Sequence, residues 1–276
     1  MSAASQTNAA VPSPPRTLPA AGKTAAAAVS PSGTAAAGEA TIPVLEIFGP
    51  TVQGEGMVIG RKTMFVRTAG CDYRCSWCDS AFTWDGSGAA DIRPLTAEAV
   101  WEELVRTGGS RFSHVTLSGG NPALLRSLGP LVKLLRAQGI RTAVETQGSR
   151  WQDWLTEIDE VTLSPKPPSS GMETDFAKLD DIVRRLNPDG ISLKVVVFDE
   201  RDFAFAREVH RRYPAVPFYL QAGNEDVRLA DDDLLRGQLL RKYEWLVDLT
   251  MASEDLNDVR VLPQLHALLW GNKRGV

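Results

Sequence analysis

Three features of the chain predict an α/β fold, an incomplete, open TIM-like (β/α) barrel. From Thr41 onward, short β-branched runs alternate with longer segments of helical period, the arrangement of a parallel βαβ sheet. Runs such as Leu193-Lys-Val-Val-Val-Phe198 are almost continuously apolar, which suits strands covered on both faces. Glycines and polar side chains also gather behind one strand after another, at the ends where barrels of this kind carry their chemistry.

In chain order the expected strands are Val44–Phe48, Thr63–Arg67, His114–Leu117, Arg141–Glu145, Val161–Ser164, Ser192–Val197 and Phe218–Gln221. The expected helices are Ala97–Thr107, Ala123–Gln138, Phe176–Leu186 and Asp202–Arg212. Thr96 has an N-cap side chain, Gly139 supplies a C-terminal stop, and Pro214 lies just beyond Arg212. Residues 41–276 therefore read as a core domain, without an internal repeat. Residues 1–40 are dominated by Ala, Ser, Thr, Pro and Gly, with no aromatic residue and Glu39 as the only acid. Such a segment buries too little apolar surface to offset its ordering entropy, so a disordered extension is expected. Arg16 and Lys23 lend it some likeness to an organellar leader, but it has neither an amphipathic Arg-rich period nor a secretory apolar region.

With 276 residues, 43% of them hydrophobic and 23% charged, the chain can bury one good-sized core or two small ones. A net charge of -4 and a pI near 5.5 disfavour a nucleic-acid backbone binder, and a small-molecule partner is expected. No apolar run approaches the roughly 20 residues of a membrane span. Unpaired thiols of a cluster type suit a reducing compartment, hence a cytoplasmic setting.

All three cysteines sit in Cys71-Asp-Tyr-Arg-Cys75-Ser-Trp-Cys78, the spacing Cys-x3-Cys-x2-Cys. Three thiolates hold three irons of a [4Fe-4S] cube, whereas a closed cluster of this type takes four. One iron then takes an outside ligand, and S-adenosylmethionine fits: its amino and carboxylate groups can chelate that iron, and an electron from the cluster can break its sulfur–carbon bond. The competing reading is a structural zinc knuckle or ordinary buried thiols. Zinc wants a fourth thiolate or imidazole, and the nearest histidine, His114, lies far downstream. The loop follows the strand Thr63–Arg67 directly, so it lies at a strand's carboxyl end, as the barrel rule requires.

Other segments share that placement. Leu117-Ser-Gly-Gly-Asn-Pro122 offers two glycines for close backbone approach to a ligand, with Pro122 at a preferred helix start. Thr51-Val-Gln-Gly-Glu-Gly56 sets an amide and a carboxylate between glycines, able to read the donor–acceptor edge of a guanine-like or pterin ring, although a surface turn has the same composition. Arg67 is either a solvated charge or a clamp for a substrate carboxylate. Asp79-Ser80 supplies hard oxygen donors of the kind magnesium takes. Glu145-Thr-Gln-Gly148, Ser164-Pro-Lys166 and Gln221-Ala-Gly223 leave further polar groups at strand ends. Trp77 serves either the adenine and cluster or the core, and His114 and His210 read as structural.

These segments, with Glu46-Ile-Phe-Gly-Pro-Thr-Val-Gln-Gly-Glu-Gly56 and the tail Gly271-Asn-Lys-Arg-Gly-Val276, resemble the radical S-adenosylmethionine enzymes and, within them, the 7-carboxy-7-deazaguanine synthases. The resemblance covers essentially Ile42 to Val276 and implies a barrel of the radical SAM type. It implies contraction of 6-carboxy-5,6,7,8-tetrahydropterin to 7-carboxy-7-deazaguanine with loss of ammonia, started by hydrogen abstraction at C6, on the way to queuosine and other 7-deazapurines. It places the cluster on Cys71, Cys75 and Cys78 and adenosylmethionine on Trp77, Cys78, Asp79, Gly120, Ser164, Pro165, Lys166 and Gln221. The pterin falls to Val52, Gln53, Gly54, Glu55, Arg67, Ser118 and Val276, magnesium to Ser80, and a supporting role to His266. An electron donor such as a flavodoxin and a homodimer are implied too. The chain departs from the superfamily in having Asn121 where Gly-Gly-Glu-Pro is common, which implies an ammonium held by backbone carbonyls in place of an acid. Two rival readings compete with this one: an activase, which needs a protein-sized groove and often extra cluster cysteines, and a redox or sensor module, which as an electron carrier needs a fully ligated cluster.

Overall fold

The computed structural model describes residues 40–276, so the extension expected over 1–40 lies, but for Ala40, outside the described residues. Strands β1 (Ile42–Val52), β2 (Lys62–Thr68), β3 (Arg93–Leu95), β4 (His114–Gly119), β5 (Arg141–Thr146), β6 (Glu160–Leu163), β7 (Ile191–Val197), β8 (Phe218–Ala222) and β9 (Arg260–Leu262) form one sheet. Its order is β3-β1-β2-β4-β5-β6-β7-β8-β9, and its outermost strands do not pair with each other, so the barrel is open. From β2 through β4 to β9 every neighbouring pair is parallel. Helices α1 (Ala97–Gly108), α2 (Leu128–Ala137), α3 (Phe176–Arg185), α4 (Glu200–Arg212), α5 (Asp232–Met251) and α6 (Leu265–Trp270) complete it.

Side chains alternate along each strand with period two, and that alternation builds the site. Val66, Leu117, Val144, Leu163, Leu193 and Leu220 point to one face and join Leu104, Leu131, Leu179, Val209 and Leu246 of the helices in the main core. Each such side chain contributes about 1.5–3 kcal/mol on burial, so a one-residue slip of any strand would be heavily penalised. The register thus turns the intervening residues, Phe65, Arg67, Thr116, Ser118, Glu145, Lys194 and Val196, onto the other face, where they line the pocket. At the opposite ends of these strands the His114 ring bridges Thr63 Oγ1 (2.8 Å) and Glu160 Oε2 (3.3 Å). Burial alone would raise the Glu160 pKa, but His114, Arg141 and Arg61 hold it below the ordinary carboxylate value.

Several elements differ from the sequence expectation. β1 is antiparallel to both β2 and β3, because no helix lies between β1 and β2 to carry the chain back for parallel pairing. It also runs past Phe48, through a register shift between Phe48 and Thr51, to Val52, so the Gln53–Gly56 segment leaves a longer strand than expected. The helix expected over Ala123–Gln138 divides into a 3-10 turn, Pro122–Leu124, and α2. Pro130 is the reason: its ring would clash with the Arg126 carbonyl of a continuous helix, whereas in the first turn of α2 it is tolerated. α4 starts two residues early, where Asp199 accepts from the N–H groups of Arg201 and Asp202 (both 2.9 Å). β3, β9, α5 and α6 were not foreseen. In α5, Leu235 and Leu239 are buried while Leu234 and Leu240 are exposed, and apolar residues on both sides blur the stripe a sequence reader seeks.

Candidate active site

The loop leaving β2 carries the cysteines and is tied down at both ends. Gly70 N–H donates to Thr83 O (2.8 Å), and Gly70 O accepts from Asn121 N–H (2.8 Å). At the far end Ser76 N–H donates to Ser170 O (3.0 Å) and Trp77 Nε1 to Ser169 Oγ (2.9 Å). Cys71, Cys75 and Cys78 are free thiols on the wall of one pocket. Burial pushes the Cys75 thiol up to about 11 and raises that of Cys78 as well, so a metal binding here displaces protons. Three soft donors and no fourth match an iron–sulfur cube with one open corner.

At Gly119 and Gly120 the space that a side chain would need is taken by backbone. A Cβ on Gly119, where φ is +140°, would lie 2.2 Å from Thr68 O, and one on Gly120 would lie 2.2 Å from Gly70 O. The exit of β4 can therefore press directly against the end of β2 and the start of the cysteine loop only because both positions lack a side chain. Asn121 follows, wholly buried, with its amide bonded to Asp72 and Ser149.

Deeper in the pocket, Lys194 of β7 is 1% exposed and lies between two carboxylates. Its Nζ donates to Glu55 and sits 2.6 Å from Glu145 Oε1. Burial alone would lower the lysine's pKa, but Glu145 and Glu55 outweigh it and lift the group above its ordinary value. Burial likewise would raise Glu55, yet Lys194 and His266 hold it far below the usual range. The second Glu55 oxygen accepts from Gln264 Nε2 (3.0 Å), and His266 Nδ1 lies 3.9 Å from it. Gln53 Oε1 is taken up by the N–H groups of Gly54 (2.6 Å) and Glu55 (3.2 Å), which leaves its NH2 group as the part able to read a ring.

At the rim, Arg67 Nε pairs with Glu46 Oε2 (2.8 Å) and Nη1 donates to Ser80 Oγ (3.2 Å). Its guanidinium lies over Phe48 and Phe82, each ring centroid 5.4 Å away. Ser80 Oγ in turn donates to Asp79 Oδ1 (2.9 Å). Ligand atoms of Glu55, Asp79 and His266 lie within 4.8 Å of one another. The tail Gly271–Val276 folds along this rim, with Arg274 bonded to Glu46 Oε1 (2.8 Å) and stacked 3.8 Å over Phe82.

Of the residues the sequence nominated, Val52, Gln53, Gly54, Glu55, Arg67, Ser118 and Val276 share the pocket wall with the cysteines, Trp77, Asp79, Ser80 and Lys166. Gly120, Ser164, Pro165 and Gln221 do not line it. Ser164 accepts from Lys166 Nζ (3.1 Å). Gln221, wholly buried on the face of β8 opposite the core, has no hydrogen-bond partner for either amide atom. Sequence reasoning missed Lys194 and Gln264 as site residues, and it named the segments of Gln147 and Arg274 without singling those residues out. Lys194 had a signal: a lysine inside an apolar strand must meet a counter-charge.

The open barrel and its three-thiolate loop are those of a radical SAM enzyme, and the Radical SAM superfamily model matches residues 65–189. The chain is 64% identical over 235 residues to a 7-carboxy-7-deazaguanine synthase of Bacillus cereus, covering 85% of this chain and 99% of that protein. It is 63% identical over 239 residues to the enzyme of that name from Bacillus subtilis, covering 85% and 98%. The crystal structure of QueE from Escherichia coli superposes with a TM-score of 0.58 over 80% of this chain and 92% of that one; at 24% identity it shows the shared fold. The chain belongs to the 7-carboxy-7-deazaguanine synthase family. Its cofactors are accordingly a [4Fe-4S] cluster and S-adenosylmethionine.

Proposed function

We propose that the protein contracts 6-carboxy-5,6,7,8-tetrahydropterin to 7-carboxy-7-deazaguanine with release of ammonia, in the biosynthesis of queuosine and other 7-deazapurines. The observation that carries this reading is the Glu55–Lys194–Glu145 group in the same pocket as the three thiols. Glu55, buried and kept ionised by Lys194, is a strong acceptor for the N–H edge of a pterin. Arg67, already oriented by Glu46 and Ser80, presents a guanidinium to the substrate carboxylate. Phe48 and Phe65, stacked at 4.8 Å, give the ring a flat apolar wall. The tail Gly271–Val276 lines the rim.

When bound, the cluster and adenosylmethionine supply a 5′-deoxyadenosyl radical that takes a hydrogen atom from C6 of the pterin. The protein's part is placement: Cys71, Cys75 and Cys78 hold the cluster, while Trp77, Asp79 and Lys166 are on the wall beside it. Ser164 and Pro165 support Lys166, and the unpartnered amide of Gln221 suits a bound group that completes its hydrogen bonds. Asp79 and Ser80 are assigned to magnesium, which orients the substrate carboxylate. Ser80→Ala is expected to weaken magnesium activation and leave cluster absorbance intact; unchanged magnesium dependence removes Ser80 from that role.

The remaining parts of the reading are a homodimer, an electron donor of the flavodoxin type and a cytoplasmic setting. No helix among the described residues is long and apolar enough to cross a membrane. The deciding experiment is anaerobic reconstitution with iron and sulfide, then dithionite, adenosylmethionine and the carboxypterin. Formation of the deazaguanine with liberated ammonia is expected. Cleavage of adenosylmethionine with the pterin untouched would show that the substrate is a different one.

A further inference from the structure

We propose that Asn121 is a positioning residue for the cluster, acting on the cysteine loop through the carboxylate of Asp72. Every hydrogen-bonding site of the Asn121 amide is engaged within the protein. Its Nδ2 donates to Asp72 Oδ1 (2.9 Å) and to Ser149 Oγ (3.1 Å). Its Oδ1 accepts from Thr146 Oγ1 (2.7 Å) and Ala123 N–H (3.1 Å). An amide has two N–H donors and two acceptor lone pairs, so nothing remains for a ligand. Asn121 is wholly buried, and its own N–H holds Gly70, the residue before Cys71. The acid common in the superfamily at this position is therefore not simply lost; the neighbour it would face here is itself an anion.

Asp72 is the point on which three chain segments converge. Besides Asn121, it accepts from Gln147 Nε2 (2.6 Å), Ser149 Oγ (2.9 Å) and Arg150 Nε (3.3 Å). Gln147 Nε2 also lies 3.7 Å from Cys71 Sγ, so the network ends on a cluster ligand. Asn121 leaves β4, Thr146 to Arg150 leave β5, and Asp72 belongs to the loop after β2. The ends of three neighbouring strands are thereby joined to the first thiolate. A neutral amide is required at 121 because only a donor can meet the Asp72 carboxylate; two carboxylates in hydrogen-bond contact would repel and release the loop.

This inference rests on the cluster reading above, and the rate of iron loss tests it separately from turnover. Reconstituted wild type, Asn121→Asp, Asp72→Asn and the exchange variant Asp72→Asn/Asn121→Asp are mixed with an iron chelator, and loss of the cluster absorbance is timed. Asn121→Asp is expected to lose iron at least about tenfold faster than wild type, and Asp72→Asn several-fold faster with an unchanged melting temperature. The exchange variant, which again sets one amide against one carboxylate once the Gln147 amide turns over to present its oxygen to the new NH2 group, is expected to recover much of the wild-type rate, a rescue that general loosening of a buried site would not produce. Should Asn121→Asp fail to fold, Asp72→Asn and the exchange variant still decide the matter. Wild-type iron retention in Asp72→Asn, or an exchange variant no slower than the fastest single variant, overturns the proposal. Wild-type protein that takes up no iron would instead count against the cluster reading.

Discussion

Lys194→Met is expected to destabilise the protein by about 3–5 kcal/mol, the cost of leaving buried charge without its partner. Lys194 is 1% exposed, and both its partners are carboxylates on separate elements, Glu55 after β1 and Glu145 on β5. In the wild type the charges are in place over the whole neutral range. Glu55 has a folded pKa below its ordinary 4.5, so its contribution is complete above that value and is lost as pH falls through the folded one. Lys194 has a folded pKa above its ordinary 10.5, so its contribution is complete below that value and is lost as pH rises through the folded one.

Removing the ammonium reverses the sign for the carboxylates. Glu55, buried and without its ammonium, then rises above its unfolded value, and the deficit is largest at alkaline pH and shrinks as pH falls and a proton is taken up. Urea unfolding of both proteins between about pH 5.5 and 8.5 checks this. Wild-type stability should be nearly flat, the variant should gain stability on acidification, and Lys194→Met/Glu145→Gln should recover much of the loss. A deficit independent of pH would show that Lys194 acts through packing alone.

Cys75→Ser is expected to abolish cluster assembly and with it all cleavage of adenosylmethionine, while the fold survives. The thiol is 9% exposed, and exchanging sulfur for oxygen at such a position costs on the order of 1 kcal/mol, small against the stability of a domain. The loop's other ties, Ser76 to Ser170 and Gly70 to Thr83, do not involve the sulfur. The chemical loss is total because the cube would keep two protein thiolates, and no other cysteine exists to replace the third. Iron per chain, absorbance and 5′-deoxyadenosine formation are the measurements. Substantial deoxyadenosine from a Cys75→Ser preparation would refute the three-thiolate site.

Much of the fold was legible because parallel strands and amphipathic helices announce themselves locally. α1 begins after Thr96, whose Oγ1 accepts from Ala99 N–H (3.2 Å), as its sequence suggested. α5 escaped notice because Leu234 and Leu240 face solvent opposite Leu235 and Leu239. The antiparallel pairing of β1 escaped because strand direction depends on the connection, not on composition. Within the site, Gly119 and Gly120 were read as leaving room for a ligand, and the structure adds that Thr68 and Gly70 press on them from the other side.

By itself the amino-acid sequence pointed to the chemistry of this protein, because its three cysteines lie within one eight-residue loop where spacing is geometry. Tertiary structure alone decided the charges around them. Glu55 meets Lys194 across 139 positions, Asp72 meets Gln147 across 75, and Arg274 meets Glu46 across 228. Such pairs depend on strand register and on which face each residue turns inward, and those are settled only when the apolar face of the whole sheet is buried at once.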